Sequence, residues 1–231
     1  MKKIGLVGGT GPESTLMYYK KLNSRIDTIS NGQTMPEVAI ESVNFRKAWE
    51  YIISSNYDDL AAYLSDKIKA LKAGGAEVIS LTSATVHIVF DELEKQTGVS
   101  LVSIPRAVAA YAVEKGYKKV GLIGTSFTME KDYMKKDLLD AGIEVVIPDE
   151  EERELVARKI FEELEFGVVK ESTLDEFNRI LKRMQEDQKI EAVILGCTEL
   201  PLLLNNQNCC LPCIDSVDVH IRKLIEMSME S

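Results

Sequence analysis

The sequence has few of the residues from which metal sites are built, and it has no long apolar segment. Only two histidines and four cysteines occur among its 231 residues. Three of the cysteines crowd into residues 209–213, with neither a second cysteine pair nor histidines beside them. Because that spacing is not one of a zinc site, we expect no bound metal and interpret these thiols as structural or incidental.

The chain also has fewer positively charged than negatively charged side chains. The 28 Lys and Arg residues face 37 Asp and Glu residues, and the formal net charge is −9. This balance argues against a general nucleic-acid partner and against reliance on an anionic membrane surface. The apolar run over residues 4–9 is too short and too rich in glycine for a signal-peptide core, and no later segment could span a bilayer. We therefore expect a cytoplasmic protein with reduced thiols.

What the sequence does contain is a regular alternation of strand and helix patterns. Short β-branched runs predict strands over residues 3–7, 38–43, 78–81, 101–103, 119–123, 144–147 and 192–195. Helical patterns lie between them over residues 58–73, 104–115, 129–141, 151–166 and 174–187, and a last amphipathic helix covers 216–227. On that last helix we expect His220 at the surface. The alternation predicts parallel sheets covered on both faces.

The chain also repeats itself. KKIGLVGGT begins at Lys2 and KKVGLIGTS begins at Lys118, while VISLTS ends at Ser83 and AVILGC ends at Cys197. Two matches at nearly the same offset, about half the chain, indicate two similarly folded halves. We predict two Rossmann-like or flavodoxin-like parallel-sheet domains related by a pseudo-two-fold axis. One contains residues 1–101 with 214–231, and the other contains residues 102–213.

Ligands of open parallel sheets bind beyond the carboxyl ends of the strands. An active site is therefore expected in the cleft between the two domains, lined by residues that follow four strands. These segments are Gly8-Gly9-Thr10, Ser83-Ala84-Thr85, Gly124-Thr125-Ser126 and Cys197-Thr198-Glu199. The repeat pairs Thr10 with Thr125, and it pairs the Ser83 hydroxyl with the Cys197 thiol.

Two proton-transfer groups on opposite sides of a cleft suit chemistry at a stereocentre. The Cys197 thiol is a competent base once its pKa is lowered by cleft dipoles or helix N-termini. Hydroxyls at the strand ends would hold a carboxylate, and the candidates are Thr10, Thr85, Thr125 and Thr198. Each threonine alone is equally well explained as a helix cap, and a cysteine alone as a small buried hydrophobe.

Three segments resemble the cofactor-independent aspartate/glutamate racemase family: GLVGGTGPEST from Gly5, TSATVHIVFDEL from Thr82 and GCTELPLLL from Gly196. The resemblance covers essentially the whole chain in the same order. It implies two similar α/β domains with the active site between them, a pair of cysteines as acid/base groups, an amino-acid substrate and no pyridoxal phosphate or other cofactor. Homodimers are common among the relatives. Cys197 matches the second cysteine of the family, and Glu199 belongs to the same segment.

The first family cysteine is replaced. Its segment commonly reads Cys-Asn-Thr-x-His, whereas here Ser83 and Ala84 stand before Thr85, and His87 keeps its place. A serine hydroxyl is a far poorer base than a thiol. Relatives with threonine at this position are described as preferring L-acidic amino acids, so the resemblance implies a bias towards the L enantiomer. For His87 we expect an orienting, hydrogen-bonding role.

A second departure concerns the substrate side chain. Aspartate-specific relatives often have a lysine where this chain has Glu165. Arg46 is the remaining candidate partner for a side-chain carboxylate, or else a solvated surface arginine. The predicted substrate is therefore aspartate, glutamate or a similar amino acid.

Other functions remain open at this point. The glycines around Thr10 invite a dinucleotide-binding interpretation, but the third glycine of that fingerprint is missing, and Pro12 suits the first turn of a helix. A single-cysteine decarboxylase or isomerase of a dicarboxylate would need only Cys197. A non-catalytic amino-acid-binding protein would explain the Ser83 and Ala84 departures.

Overall fold

The computed structural model describes residues 1–230, and the chain divides into two compact units. The first unit contains Met1–Ser103 together with the chain from His220 onward, and the second contains Ile104–Val219. The predicted α/β fold with two similar parallel sheets is confirmed. The domain boundaries drawn at residues 101 and 213 remain a prediction.

Strands and helices alternate along the chain. The strands are β1 (Ile4–Gly8), β2 (Val38–Ser42), β3 (Val78–Leu81), β4 (Leu101–Val102), β5 (Lys119–Ile123), β6 (Glu144–Val146), β7 (Ala192–Leu195) and β8 (Cys213–Asp215). The helices are α1 (Pro12–Ile29), α2 (Phe45–Ile53), α3 (Tyr57–Ala73), α4 (Phe90–Thr97), α5 (Ile104–Glu114), α6 (Ser126–Glu130), α7 (Lys136–Asp140), α8 (Glu150–Glu162), α9 (Glu171–Gln188), α10 (Leu200–Leu203) and α11 (Ser216–Met229). Short 3₁₀ helices cover Thr85–Val89 and Leu164–Phe166.

Both sheets have four parallel strands in the same relative order. The first runs β2-β1-β3-β4 and the second runs β6-β5-β7-β8. In the first, Ile4 is paired with Val78, and in the second, Val120 is paired with Ala192. β1, β3 and β7 are buried along their whole length, as their unbroken apolar runs require in sheets covered by helices. The sequence repeat therefore corresponds to a repeated strand order.

Each predicted strand is present within one residue at either end, but the prediction missed β8. This strand has only three residues and follows Pro212, so it carries little strand pattern of its own. It is held by parallel pairing with β7, in which Val193 faces Cys213 and Leu195 faces Asp215.

The single helix predicted over residues 129–141 is wrong, because it is two short helices, α6 and α7. The backbone at Lys131 is extended, which ends α6. The ammonium group of Lys135 donates to the carbonyls of Met129 and Glu130, at 3.2 and 3.1 Å, and so satisfies the end of α6.

His220 was expected at the surface, and this prediction is also wrong, because its side chain is fully buried in the first unit. Its Nε2 lies 3.1 Å from the carbonyl oxygen of Val102 and 3.0 Å from Ser80 Oγ, and its Nδ1 lies 2.7 Å from Tyr18 Oη. Because a carbonyl only accepts, Nε2 carries the proton and Nδ1 accepts from the tyrosine. Burial lowers the pKa of His220 to about 4.

The helical spacing of α11 explains this burial. His220 lies one turn from Val217 and from Leu224, on the same apolar face of the helix. A histidine on that face is buried when the helix packs, and both nitrogens of the His220 ring are hydrogen-bonded within the protein. The network thereby fixes α11 to α1, β3 and β4 of the first unit.

No helix in the part of the chain that the structure describes has the length and apolar character needed to cross a membrane.

His220 makes the stability of the protein depend on pH. The unfolded chain binds a proton on this imidazole below its ordinary pKa of 6.5, whereas the folded chain keeps it neutral down to about 4. Stability from this site is therefore complete above pH 6.5, and ~3 kcal/mol of it is lost as the pH falls towards 4. Urea unfolding of the wild type and of His220→Gln over this range measures the effect.

The difference in unfolding free energy between wild type and His220→Gln should shrink as the pH falls, because the variant has no group to titrate there. Tyr18→Phe serves as the control, since it removes a hydrogen bond but keeps the imidazole and the pH dependence. A difference that stays constant over this range would contradict the assignment.

Candidate active site

The carboxyl end of β1 is shaped by two glycines. A Cβ on Gly8 would lie 2.5 Å from Thr15 Cγ2, and a Cβ on Gly9 would lie 2.6 Å from Ser42 Oγ. Gly9 also has a φ of +88°, a conformation that favours glycine. Its amide donates to Thr15 Oγ1 at 2.9 Å. The glycines thus let the first turn of α1 come into contact with the end of the strand.

Thr10 follows this turn with a hydroxyl that has no partner. Its Oγ1 is buried, and no group within residues 1–230 hydrogen-bonds to it. Helix α1 begins after Gly11 without a side-chain cap, so the Thr10 hydroxyl is not a cap. Because a buried hydroxyl without a hydrogen bond is costly, this atom is well suited to accept or donate a bond to a ligand.

The carboxyl end of β3 is held by hydroxyls from α1. Ser14 Oγ donates to the Thr82 carbonyl at 2.5 Å, and Thr15 Oγ1 lies 3.2 Å from Thr82 Oγ1. The Thr82 amide donates to the carbonyl of Val7 on β1 at 3.1 Å. The backbone that leads into Ser83 is therefore fixed from two sides.

Ser83, Ala84 and Thr85 come next, and all three are half-buried. His87 is buried, and its Nδ1 donates to the Ser83 carbonyl at 2.9 Å. Its ring also stacks on Phe90, with centroids 5.0 Å apart. These contacts favour the orienting role predicted for His87, because its ring holds the turn in place. The Ser83 hydroxyl has no hydrogen bond to any other described residue.

Arg46 lies in the first turn of α2, just beyond the end of β2. Asn44 caps this helix, since its side-chain oxygen accepts from the Arg46 amide at 3.1 Å. The Arg46 side chain is exposed, and within the described chain its guanidinium forms no ion pair. A guanidinium in this state is available to a carboxylate.

In the second unit, Thr125 follows β5 but differs from Thr10. It is the N-cap of α6, where its Oγ1 accepts from the Thr128 amide at 3.3 Å. The same atom lies 3.1 Å from Thr128 Oγ1. The capping explanation therefore applies to Thr125, and a role for it in binding a substrate stays a prediction.

Cys197 follows β7 through Gly196, which is tightly surrounded. A Cβ on Gly196 would lie 2.9 Å from Thr128 Cγ2 and 3.0 Å from the Ile123 carbonyl oxygen. The Gly196 amide donates to that same carbonyl at 2.9 Å. Because the glycine fixes the strand end, it also fixes where the half-buried side chain of Cys197 begins.

The Cys197 thiol donates to a carboxylate. Its Sγ lies 2.7 Å from Glu199 Oε2, and Thr198 Oγ1 donates to Glu199 Oε1 at 2.6 Å. Burial, and after it the charge and hydrogen bonding of Glu199, raise the pKa of Cys197 well above the ordinary thiol range. This is the opposite of the lowered pKa that a thiol needs to act as a base, because a carboxylate beside a thiol stabilises its protonated form.

Glu165 contributes to the same surroundings. It lies in the 3₁₀ helix Leu164–Phe166, which contacts α10. Partial burial of its carboxyl, followed by the charge of Glu199, raises the pKa of Glu165, and its own charge adds to the raised pKa of Cys197. The sequence singled out Glu165 only as a departure from a family pattern, and nothing in its neighbours pointed to Cys197.

The predicted site residues thus gather at the carboxyl ends of each sheet. In the first unit these are Thr10, Ser83, Ala84 and Thr85, with Arg46 after the adjoining strand, and in the second they are Thr125, Cys197, Thr198 and Glu199. Among residues 1–230, no three His, Cys, Asp or Glu side chains are grouped so that they could hold a metal ion.

Comparisons with known proteins identify the family of the chain. The family model described as Asp/Glu/Hydantoin racemase matches residues 7–224. The broad specificity amino-acid racemase RacX of Bacillus subtilis is 22% identical over 218 residues, which cover 92% of each chain. An aspartate racemase homologue from Pyrococcus horikoshii OT3 has a TM-score of 0.90 and 41% identity, with 100% of both chains covered. An aspartate racemase from Picrophilus torridus, with a TM-score of 0.75 and 22% identity over 98% of this chain and 94% of that one, shows the fold alone.

The difference between the two threonines is testable through stability. Thr125→Val removes a helix cap and should lower the free energy of unfolding by about 1 kcal/mol. Thr10→Val replaces a hydroxyl that has no partner and should leave the stability unchanged or higher. Chemical denaturation of both variants measures this. A Thr10→Val loss as large as that of Thr125→Val would show that the Thr10 hydroxyl is already bonded within the protein.

Proposed function

Because the chain belongs to the Asp/Glu/Hydantoin racemase family, we propose that it is an amino-acid racemase that moves the α-hydrogen of its substrate with the Cys197 thiol. The substrate is aspartate, glutamate or a similar amino acid, and the reaction uses no pyridoxal phosphate. The single observation that carries this proposal is the Cys197–Glu199 hydrogen bond at the end of β7. A homodimer, common among the relatives, is part of the same proposal.

In the resting protein Cys197 is a proton donor. The raised pKa keeps the thiol protonated, and Glu199 orients its hydrogen. A thiol in this state is ready to protonate a carbanion at the α-carbon. Thr198 bonds the second oxygen of the same carboxylate and thereby fixes the Glu199 side chain.

For the reverse step, the thiol must first lose its proton. The α-ammonium group of an amino acid placed beside Glu199 would offset the negative charge that stabilises the protonated thiol. Substrate binding would then lower the pKa of Cys197 and raise the fraction of thiolate. The arrangement thus favours a ligand that carries an ammonium group, as every amino acid does.

The charge that develops on abstraction spreads from the α-carbon onto the substrate carboxylate. Donors aimed at that carboxylate stabilise the carbanion. The first unit offers the unpartnered Thr10 hydroxyl, the half-buried Thr85 and the unpaired Arg46 guanidinium for this purpose. We assign the substrate carboxylate to these groups. Thr125 has a smaller part, because its hydroxyl already caps α6.

Ser83 stands where the family has its first acid/base cysteine, and Ala84 stands where relatives have an asparagine. A hydroxyl is a poor proton carrier, even though His87 holds its backbone in place. The face served by Cys197 should therefore react much faster than the face served by Ser83. By resemblance to the family, the favoured enantiomer is the L form.

The Ser83 substitution also supports a second candidate, a single-cysteine decarboxylase or isomerase of a dicarboxylate, since that chemistry needs one proton donor. It likewise supports a non-catalytic amino-acid-binding protein. Exchange of the substrate α-hydrogen with solvent distinguishes the racemase from the other two candidates, because only the racemase requires it.

Incubation with L-amino acids in D₂O, followed by NMR of the α-hydrogen, tests the proposal. We expect solvent exchange to be faster than racemisation, because Cys197, once its own proton has exchanged with D₂O, often delivers a deuteron to the face from which the hydrogen was taken. The D enantiomers should react far more slowly. Cys197→Ala should abolish exchange, with circular dichroism to check that the variant folds.

Ser83→Cys is the matched gain-of-function variant. A thiol at this position should raise racemisation and the reaction from the D side, since loss of one acid/base group typically costs ~10²–10⁴-fold. Equal rates for both enantiomers in the wild type, or no change in the D-side rate of Ser83→Cys, would contradict the role given to Ser83.

A further inference from the structure

Three of the four cysteines lie in a short segment that the proposed reaction does not use. Cys209, Cys210 and Cys213 come at the end of the loop that joins α10 to β8, and all three are free thiols. Cys210 is exposed, whereas Cys209 and Cys213 are half-buried. Both half-buried side chains pack against the apolar cluster that contains Leu211, the buried residue between them. Two of the three thiols therefore turn towards the core of the second unit.

Two neighbouring asparagines hold the half-buried cysteines at the closed end of this loop. The Cys209 amide donates to the Asn205 carbonyl at 3.0 Å, and the Cys213 amide donates to Asn206 Oδ1 at 2.7 Å. Between these two points the chain bends at residues 209–211 instead of running extended. Because adjacent residues bind both amides, the loop closes on itself and brings Cys209 close to Cys213 across the three residues that separate them.

Both sulfur atoms lie against the backbone of Leu211. Cys209 Sγ accepts from the Leu211 amide, and Cys213 Sγ lies 3.7 Å from the Leu211 carbonyl oxygen. The two thiols also hydrogen-bond to each other, with Cys213 as the donor. Hydrogen bonds, from the Cys213 thiol first, lower the pKa of Cys209 to about 7, and the same contact raises the pKa of Cys213. Cys209 is therefore a partial thiolate at neutral pH, with a protonated thiol in contact with it.

The exposed Cys210 is the alternative partner of Cys209. It is tied to α9, because its amide donates to Asn178 Oδ1 at 2.9 Å and its Sγ lies 3.7 Å from the Asn178 carbonyl oxygen. A disulfide between neighbours in the chain is also strained, since adjacent Cα atoms are about 3.8 Å apart and ordinary disulfides need about 4.4–6.8 Å. Cys213 is therefore the better partner for Cys209.

We propose that Cys209 and Cys213 form a reversible redox pair, which a hydroperoxide oxidises to a disulfide. The Cys209 thiolate attacks the peroxide O–O bond, which breaks to give a sulfenic acid, and the other oxygen leaves as water or an alcohol after taking up a proton. The Cys213 sulfur then bonds to the sulfenic sulfur, and its thiol proton leaves with the sulfenic hydroxyl as water. The two thiols lose two electrons, and one hydroperoxide is reduced. A small thiol such as reduced glutathione reverses the reaction.

Cys197 is the internal comparison for this reaction. Its thiol donates to Glu199 Oε2 at 2.7 Å and stays protonated, whereas a peroxide reacts with thiolates. Cys209 is only half-buried, so a small hydroperoxide can reach its sulfur. The redox pair should therefore react before Cys197, and independently of the proposed racemase reaction.

The experiment treats the fully reduced protein with an equimolar amount of hydrogen peroxide and then blocks the remaining thiols with N-ethylmaleimide. Cleavage after Glu199 separates the Cys197 peptide from the peptide with the other three cysteines, and mass spectrometry reads both. We expect two of the four thiols, Cys209 and Cys213, to be lost together, and dithiothreitol to restore them. Oxidation of Cys209 should be at least ~10-fold faster than oxidation of Cys197.

Serine variants identify the two partners. Cys210→Ser should form the disulfide as the wild type does. Cys213→Ser keeps a hydrogen-bond donor beside Cys209 but removes the sulfur, and in combination with Cys210→Ser it should leave a sulfenic acid on Cys209 that dimedone traps. Cys209→Ser should form no disulfide. Circular dichroism of each variant checks that it folds.

The proposal is overturned if the folded wild type keeps all four thiols under peroxide, or if Cys210→Ser prevents the disulfide. It is also overturned if Cys197 is oxidised as fast as Cys209, or if dithiothreitol does not restore the two thiols. None of these measurements uses the exchange of a substrate hydrogen, so their outcome is independent of the proposed racemase function.

Discussion

Helix and strand approach each other closely at the carboxyl ends of β1 and β7, and these two contacts set where the candidate site residues begin. Gly8 lies against Thr15, and Gly196 lies against Thr128, at distances where any Cβ would overlap the threonine. Only glycine permits this contact. Because the strand ends are fixed in this way, the residues that follow, Thr10 and Cys197, have little freedom in where their side chains begin.

The two units have the same strand order, but the residues that follow their strands carry different polar groups. In the first, α1 tethers the turn before Ser83, while the hydroxyl of Thr10 and the guanidinium of Arg46 remain unpaired. In the second, the corresponding threonine caps a helix, and the thiol of Cys197 is bound to a carboxylate. The first unit therefore offers donors suited to an anion, and the second offers acceptors suited to a cation.

The strands were predictable because buried parallel strands are continuous apolar runs, and this pattern is visible without a structure. Strand β8 was not, since three residues after a proline carry little pattern, and its formation depends on pairing with β7. His220 was placed wrongly although its helical spacing matches the apolar face of α11, because a histidine is usually assigned to the surface from its polarity.

The positions of the candidate residues at the strand ends were predictable, but the electrostatics around them was not. The repeat and the strand ends identify Cys197 and Ser83, whereas the pKa of the thiol depends on the position of the Glu199 carboxylate, which the sequence does not specify. The sequence likewise cannot distinguish a threonine that caps a helix from one that is free.

If the α-carbon of the substrate lies beside the Cys197 thiol, a bound substrate should shield that thiol from alkylation. Iodoacetamide labelling, read by mass spectrometry of the separate cysteine peptides, gives a rate for Cys197 and, as an internal control, for the half-buried Cys209. A saturating amino-acid substrate should slow the labelling of Cys197, with half of the effect at its KM, and leave the labelling of Cys209 unchanged. Labelling of Cys197 at the same rate with and without the substrate would contradict it.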